Sequence, residues 1–138
     1  MIGVVLLSHG HLAEALLQTA TEIVGPIEGA TSLAVSRSDP LREVEHRLTQ
    51  IVQRSDQGSG VLVLADMFGG TAANVALELV GRHRLEVVTG MNLPMVLKLS
   101  TSLDDATELG ALAQLLKFYG QRNVVVASEL LKEREQDA

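Results

Sequence analysis

The chain contains no cysteine and no tryptophan, and its aromatic side chains are limited to Phe68, Phe118 and Tyr119. Without thiols it can form no disulfide, no thiolate metal site and no cysteine nucleophile. Base-stacking modes of nucleic-acid binding have almost no platform to use. Cations are also outnumbered: 11 Lys and Arg stand against 17 Asp and Glu, a formal charge of −6. That balance repels a phosphate backbone. Long apolar runs are missing as well, since no stretch approaches the roughly 20 apolar residues of a membrane-spanning helix. The opening residues, Met1 to Gly10, lack the basic flank of an export signal. These absences predict a cytoplasmic protein whose partner is another protein or a small molecule, with no nucleic acid and no membrane.

What is present suits one domain. The 138 residues are 46% hydrophobic, and a chain of that size buries roughly two-thirds of its unfolded surface without staples. Apolar runs alternate with helix-period stripes. Ile2 to Leu7, Leu33 to Val35, Val61 to Ala65, Leu85 to Val88 and Asn123 to Ala127 read as strands. Between them, Leu12, Leu16, Ala20 and Ile23 form one helical stripe, ended by Gly25-Pro26. Leu41, Val44, Leu48 and Ile51 form a second, opened by Asp39-Pro40. Val75, Ala76, Leu79 and Val80 form a third, and Leu109, Leu112, Leu116 and Tyr119 a fourth, with Gly90 to Pro94 read as a loop. Strand alternating with helix predicts an α/β domain in three layers, a mostly parallel sheet with helices on both faces. The expected bounds are a single domain over residues 1–138, with a core over 1–127 and a charged tail over 128–138.

In such sheets function collects at the carboxyl ends of strands, near the point where strand order reverses. Two polar clusters fall at predicted strand ends: Ser8-His9-Gly10-His11, and Asp66-Met67-Phe68-Gly69-Gly70-Thr71. A neutral imidazole at His9 offers one nucleophilic nitrogen near neutral pH. Its drawback is that two tautomers compete. A carboxylate that accepts a hydrogen bond from one ring nitrogen leaves the lone pair on the other, and Asp66 is the candidate if the two strands are neighbours. Gly69, Gly70 and Thr71 suit an anion seat, with exposed backbone N–H groups at a helix start and a hydroxyl to add a bond. Together these residues fit a histidine that accepts and gives up a phosphoryl group. No metal or cofactor is required when the donor is itself a phosphohistidine. The other histidines read as bystanders: His11 in a first helical turn lining the pocket, His46 on a solvated face, His83 in a cationic cluster at a helix end.

Three motifs carry a resemblance. Ser8-His9-Gly10, Asp66-x-x-Gly69-Gly70-Thr71 with Asn74, and Gly90-Met91-Asn92-Leu93-Pro94-Met95 resemble, in order and spacing, the signatures of the mannose-family enzyme IIA domain. That domain belongs to the bacterial phosphoenolpyruvate-dependent sugar phosphotransferase system. The likeness runs to about Val126. It implies that His9 takes phosphate from the phosphohistidine of HPr and passes it to a histidine of a separate IIB protein. The membrane proteins IIC and IID then use that phosphate on incoming sugar, and a regulatory role is the family's other use. It further implies that Asp66 is the family's carboxylate, Thr71 its phosphate-contacting hydroxyl, and Asn92 through Met95, with Pro94, the pocket-edge loop. Ser8, Gly10 and Phe68 fall at the pocket and partner contact. The resemblance also implies a homodimer that exchanges a C-terminal strand, here Asn123 to Ala127. The chain departs from enteric relatives in having Phe68 for Trp and Ala72 for Pro.

Other readings compete. A small cobalt or nickel chelatase of tetrapyrrole synthesis shares the strand-then-His-Gly opening, but needs a second histidine at the metal. His83 would have to supply it from between Arg82 and Arg84. A histidine phosphatase lacks its phosphate-clamping arginine here. A flavodoxin-like binding module would leave His9 and Asp66 merely structural.

Overall fold

Four of the apolar runs become parallel strands in a computed structural model that describes residues 1–137. They are β1 (Gly3–His9), β2 (Ala30–Val35), β3 (Val61–Ala65) and β4 (Leu85–Val88), hydrogen-bonded in the order β2-β1-β3-β4. The helices are α1 (Leu12–Val24), α2 (Leu41–Ser55), α3 (Thr71–Leu79), α4 (Leu93–Ser102), α5 (Leu109–Arg122) and α6 (Ala127–Asp137). Strand alternation sorts the central residues onto two faces. Val4, Leu6, Leu62 and Leu64 pack with Ala13, Ala20, Val96, Leu99, Leu112 and Leu116, so α1, α4 and α5 cover one side. Val5, Leu7, Val61 and Val63 pack with Val44, Leu48, Val75 and Leu79, so α2 and α3 cover the other. The chain is a single α/β domain in three layers, as its alternating pattern predicts.

The strand order places the site. From β1 the chain first crosses to β2 on one side, then to β3 on the other, so strand order reverses between β1 and β3. Register brings Leu7 opposite Ala65, and the Asp66 N–H donates to the Leu7 carbonyl at 3.1 Å. His9 and Asp66 therefore flank the crevice where ligands of open α/β sheets collect.

Two stretches differ from the sequence reading. The expected loop from Gly90 to Pro94 ends at Asn92, because α4 begins at Leu93. Asn92 Oδ1 accepts the Met95 N–H at 3.1 Å as an N-cap, with Pro94 in the first turn. The expected last strand, Asn123 to Ala127, is absent. Residues 123–126 pair with no strand, and the expected tail is α6 up to Asp137; residue 138 lies outside the described residues. The physical reason is local. A strand needs an edge to pair with, and residues 123–126 meet none within the chain, whereas Ala127 to Gln136 is rich in the helix formers Glu, Leu, Lys and Arg and continues as α6.

Leu6 is fully buried and touches both sheet and helices. Leu6→Ala is expected to lower unfolding free energy by about 2–5 kcal/mol. Leu41→Ala, at 59% exposure, should change it by less than about 0.5 kcal/mol. Urea denaturation measures both.

Candidate functional site

The site is built where β1 and β3 end. The His9 side chain stands at the carboxyl end of β1, 37% exposed, while the Asp66 side chain just past β3 is 10% exposed. The Asp66 carboxylate is held at three points. Oδ2 accepts the His9 ring Nδ1–H at 2.7 Å and the His9 backbone N–H at 2.9 Å. Oδ1 accepts the Met67 N–H at 2.9 Å. A carboxylate can only accept, so Nδ1 must carry the ring proton and the lone pair falls on Nε2.

The acidity of Asp66 follows from these contacts. Burial acts to raise its pKa, but it is outweighed by the hydrogen bonds from the His9 backbone and ring, the charge of that ring, and the Met67 N–H. The net effect holds the carboxyl below its ordinary value.

The loops around the pair are shaped by glycine and by buried caps. Gly10 turns the chain at φ +57° while its N–H donates to the Val35 carbonyl at 3.0 Å. Ser8 is fully buried, and its Oγ accepts the Ala13 N–H at 2.7 Å. It thus caps α1 from the strand end, where the N-cap residue His11 makes no side-chain cap. Gly69 takes φ +83°, and Gly70 follows as the extended N-cap of α3. The first helical bond runs from the Asn74 N–H to the Gly70 carbonyl at 3.0 Å. The N–H groups of Thr71, Ala72 and Ala73 precede that ladder, making an electropositive helix end beside the ring. Thr71 is exposed there.

Not every predicted site residue gathers at His9. Phe68 stands 73% exposed at the rim. Asn92 caps α4 and donates from Nδ2 to the Gly120 carbonyl at 3.2 Å, Pro94 is half-buried, and Met95 is buried in the core. This segment touches the site through its start, where the Met91 N–H donates to the Ala65 carbonyl at 3.0 Å. The groove lined by Asn92 and Met95, about 430 Å³, runs instead along β4 and α5 with Glu86, Thr89 and Lys117. His11 is an exposed neighbour 3.5 Å from Glu14. His83 precedes β4 and so lies at the amino edge of a parallel sheet, opposite His9, where it cannot supply the second histidine that the chelatase reading asks of it. Sequence reasoning missed Leu12 and Met67, 49% and 53% exposed beside the pair. For Met67 the signal is an apolar residue directly after a strand end and outside any core stripe; Leu12 is hidden because it also fits the helical stripe of α1, whose first turn leaves it exposed.

Fold and site define an α/β domain that presents an acid-tied imidazole at the switch point of its sheet. Comparison with known proteins then gives the family. Residues 3–116 match the family described as PTS system fructose IIA component, EIIA-man, and the chain belongs to it. The chain is 28% identical over 133 residues to the "PTS system fructose-specific EIIA component" of Bacillus subtilis (strain 168), covering 96% of this chain and 90% of that one. It is 28% identical over 124 residues to the "PTS system mannose-specific EIIAB component" of Escherichia coli (strain K12), covering 89% of this chain but 38% of that protein. Among solved structures, the mannose/sorbose-specific IIA subunit of Enterococcus faecalis superimposes with a TM-score of 0.81 at 33% identity, over 91% of this chain and 93% of that one. The chain is accordingly a phosphoryl-transfer component of the sugar phosphotransferase system. Among the described residues, no helix is long and apolar enough to cross a membrane.

The lowered Asp66 pKa sets a direction for acid stability. A carboxyl more acidic when folded than its ordinary 3.8 contributes stability in full above that value, and loses it as pH falls through the native one. Asp66→Asn should therefore flatten this part of the acid limb, measured by urea denaturation from pH 5 downwards. An unchanged limb would mean that the pair contributes nothing to folding.

Proposed function

We propose that His9 is the phosphoryl carrier, that HPr is its donor and that a separate IIB protein is its acceptor. The observation that carries this reading is the 2.7 Å bond from His9 Nδ1 to Asp66, because it leaves the lone pair on Nε2 in a half-exposed ring. In the transfer step Nε2 attacks the phosphorus of the donor phosphohistidine. The Nε2–P bond forms as the donor N–P bond breaks, and the donor ring, which carries a proton on its other nitrogen, leaves as neutral imidazole. His9 keeps its Nδ1 proton, so the ring becomes cationic and Asp66 stabilises it. Passage to the acceptor histidine reverses the same exchange. No proton needs to enter or leave.

The phosphoryl group on Nε2 would meet the start of α3, with Gly69 and Gly70 opening the backbone and the Thr71 hydroxyl available as a donor. A helix N-terminus favours such an anion by about 0.3–1 kcal/mol when exposed, up to ~2 when partly buried. Leu12, Met67 and Phe68 supply an apolar rim on which a partner protein can dock. Exchange with HPr and an onward link to membrane IIC and IID proteins place the chain in the cytoplasm.

The homodimer also belongs to this reading. β4 ends the sheet with its outer edge unpaired, and the groove beside it includes Val124. Val124, Val125 and Val126 are 78%, 54% and 58% exposed. Laid along β4 of a second copy, these valines would close both open edges. Sedimentation should then give twice the chain mass of 14.7 kDa; a single-chain mass at micromolar concentration rules the exchange out.

The carrier assignment is tested with phosphoenolpyruvate, enzyme I and HPr. The chain is expected to take one acid-labile, base-stable phosphate, absent in His9→Ala and kept in His11→Ala. Asp66→Asn should fold and accept phosphate about 10²–10⁴-fold more slowly, since an amide can favour the wrong tautomer. Label persisting on His9→Ala assigns the nucleophile elsewhere.

A further inference from the structure

We infer that Gly70 is a positioning residue for His9: its missing side chain is the space that the Asp66-tied imidazole occupies. The inference rests on the carrier reading of His9 and adds a residue that acts through the ring rather than on phosphate. The backbone does not ask for glycine at this point. Gly70 has φ −80° and ψ 162°, an extended conformation open to any residue. Its neighbour Gly69 is the opposite case, with φ +83° and open space where a side chain would go. One glycine serves the turn, and the other serves something it touches.

What it touches is the ring. A Cβ at position 70 would lie 2.9 Å from His9 Cε1, 3.6 Å from Nε2 and 3.3 Å from Met67 Cγ. Carbon atoms pack best at about 3.5–4.0 Å, so a methyl group there forces something to move. A free histidine would rotate aside, but this one is not free. Its Nδ1 is bonded to Asp66 Oδ2, and the same oxygen holds the His9 backbone while Oδ1 holds Met67. The carboxylate cannot follow a displaced ring without giving up its other partners. Nor can the start of α3 retreat easily, because Ala72 and Ala73 are fully buried behind it. The ring is the part that yields. A side chain at position 70 therefore breaks the bond that sets the tautomer, and also carries Nε2 away from the helix end.

This is read by NMR and by a double-mutant cycle on the full chain. In the unaltered chain the ring nitrogens should report the Nδ1–H tautomer, with a strong NOE from His9 Hε1 to the Gly70 Hα protons. Gly70→Ala should show mixed tautomers. Its phosphorylation by phospho-HPr should fall about 10–100-fold, the range set by small misplacements of reacting groups. In an Asp66→Ala background the ring is no longer pinned, so adding Gly70→Ala should cost less than about twofold more, a clear departure from additivity. Three results would overturn the inference: no such NOE, an unchanged tautomer in folded Gly70→Ala, or full additivity of the two substitutions. The NOE needs no variant to fold. If the unaltered chain took no phosphate from phospho-HPr, the carrier reading would fail, while the NOE and tautomer would still decide the placement of the ring.

Discussion

One carboxylate oxygen organises this molecule's chemistry. Asp66 Oδ2 accepts both the backbone N–H and the ring Nδ1–H of His9, joining the end of β1 to the residue after β3 twice. The two bonds do different things. The backbone bond sets where the residue sits, and the ring bond sets which nitrogen keeps its lone pair. Because one atom serves both, the position and the tautomer of the imidazole are not independent. The arrangement exists only because β1 and β3 are neighbours, with Leu7 level with Ala65, so the sheet order is a condition of the chemistry and not a background to it.

The surrounding structure keeps that oxygen and that ring still. Buried Ser8 anchors the start of α1 from the strand side, so the loop carrying His9 is short and held at both ends. The Met67 N–H occupies the second oxygen of Asp66, so both oxygens are engaged and tilting the carboxylate out of this plane gives up a bond. The His9 side chain stays partly exposed, which on the carrier reading suits a group that partner proteins must reach. The large core clusters on either face of the sheet contribute by making the strand ends rigid platforms.

Much of this was legible in the chain, for definite reasons. A strand buried on both faces must be apolar throughout, which makes Val61 to Ala65 readable to the residue, while the edge strand Leu85 to Val88 tolerates exposed Glu86 and is read from its branched residues and its place after a helix. His9 and Asp66 were legible because polar residues directly after such runs must lie at a sheet edge. α4 was obscured because Pro94 resembles a loop signal, although a proline just inside a helix start behind an Asn cap is equally regular. The last strand does not form within one chain for another reason. Val124 to Val126 is strand-like in composition, but composition cannot supply a pairing edge, and the helix-forming residues after it prevail within one chain. In the sequence Gly70 suits a phosphate seat because Gly69, Gly70 and Thr71 combine exposed backbone N–H groups with a helix start. Only coordinates show that its nearest neighbour is the histidine ring itself.

What the site lacks is also informative on the carrier reading. The two segments that carry the pair, Ser8 to Leu12 and Asp66 to Ala73, include no lysine or arginine, and Arg37, exposed just past the neighbouring β2, makes no ion pair with Asp66. A guanidinium clamp would bind the phosphoryl group through paired, charge-assisted bonds, and each 1.4 kcal/mol of added stabilisation would shift the exchange with a partner histidine about tenfold towards retention. A relay has the opposite need. Its phosphorylated state must lie close in free energy to those of donor and acceptor, so that the group moves on. Asp66 meets that need because it stabilises the cationic ring and not the phosphate, much as any tautomer-fixing carboxylate would in the partner. The helix N-terminus adds a modest attraction that is screened by salt. On the carrier reading, a site made of one imidazole, one carboxylate, one hydroxyl and backbone N–H groups is matched to passing a phosphoryl group along rather than to keeping it.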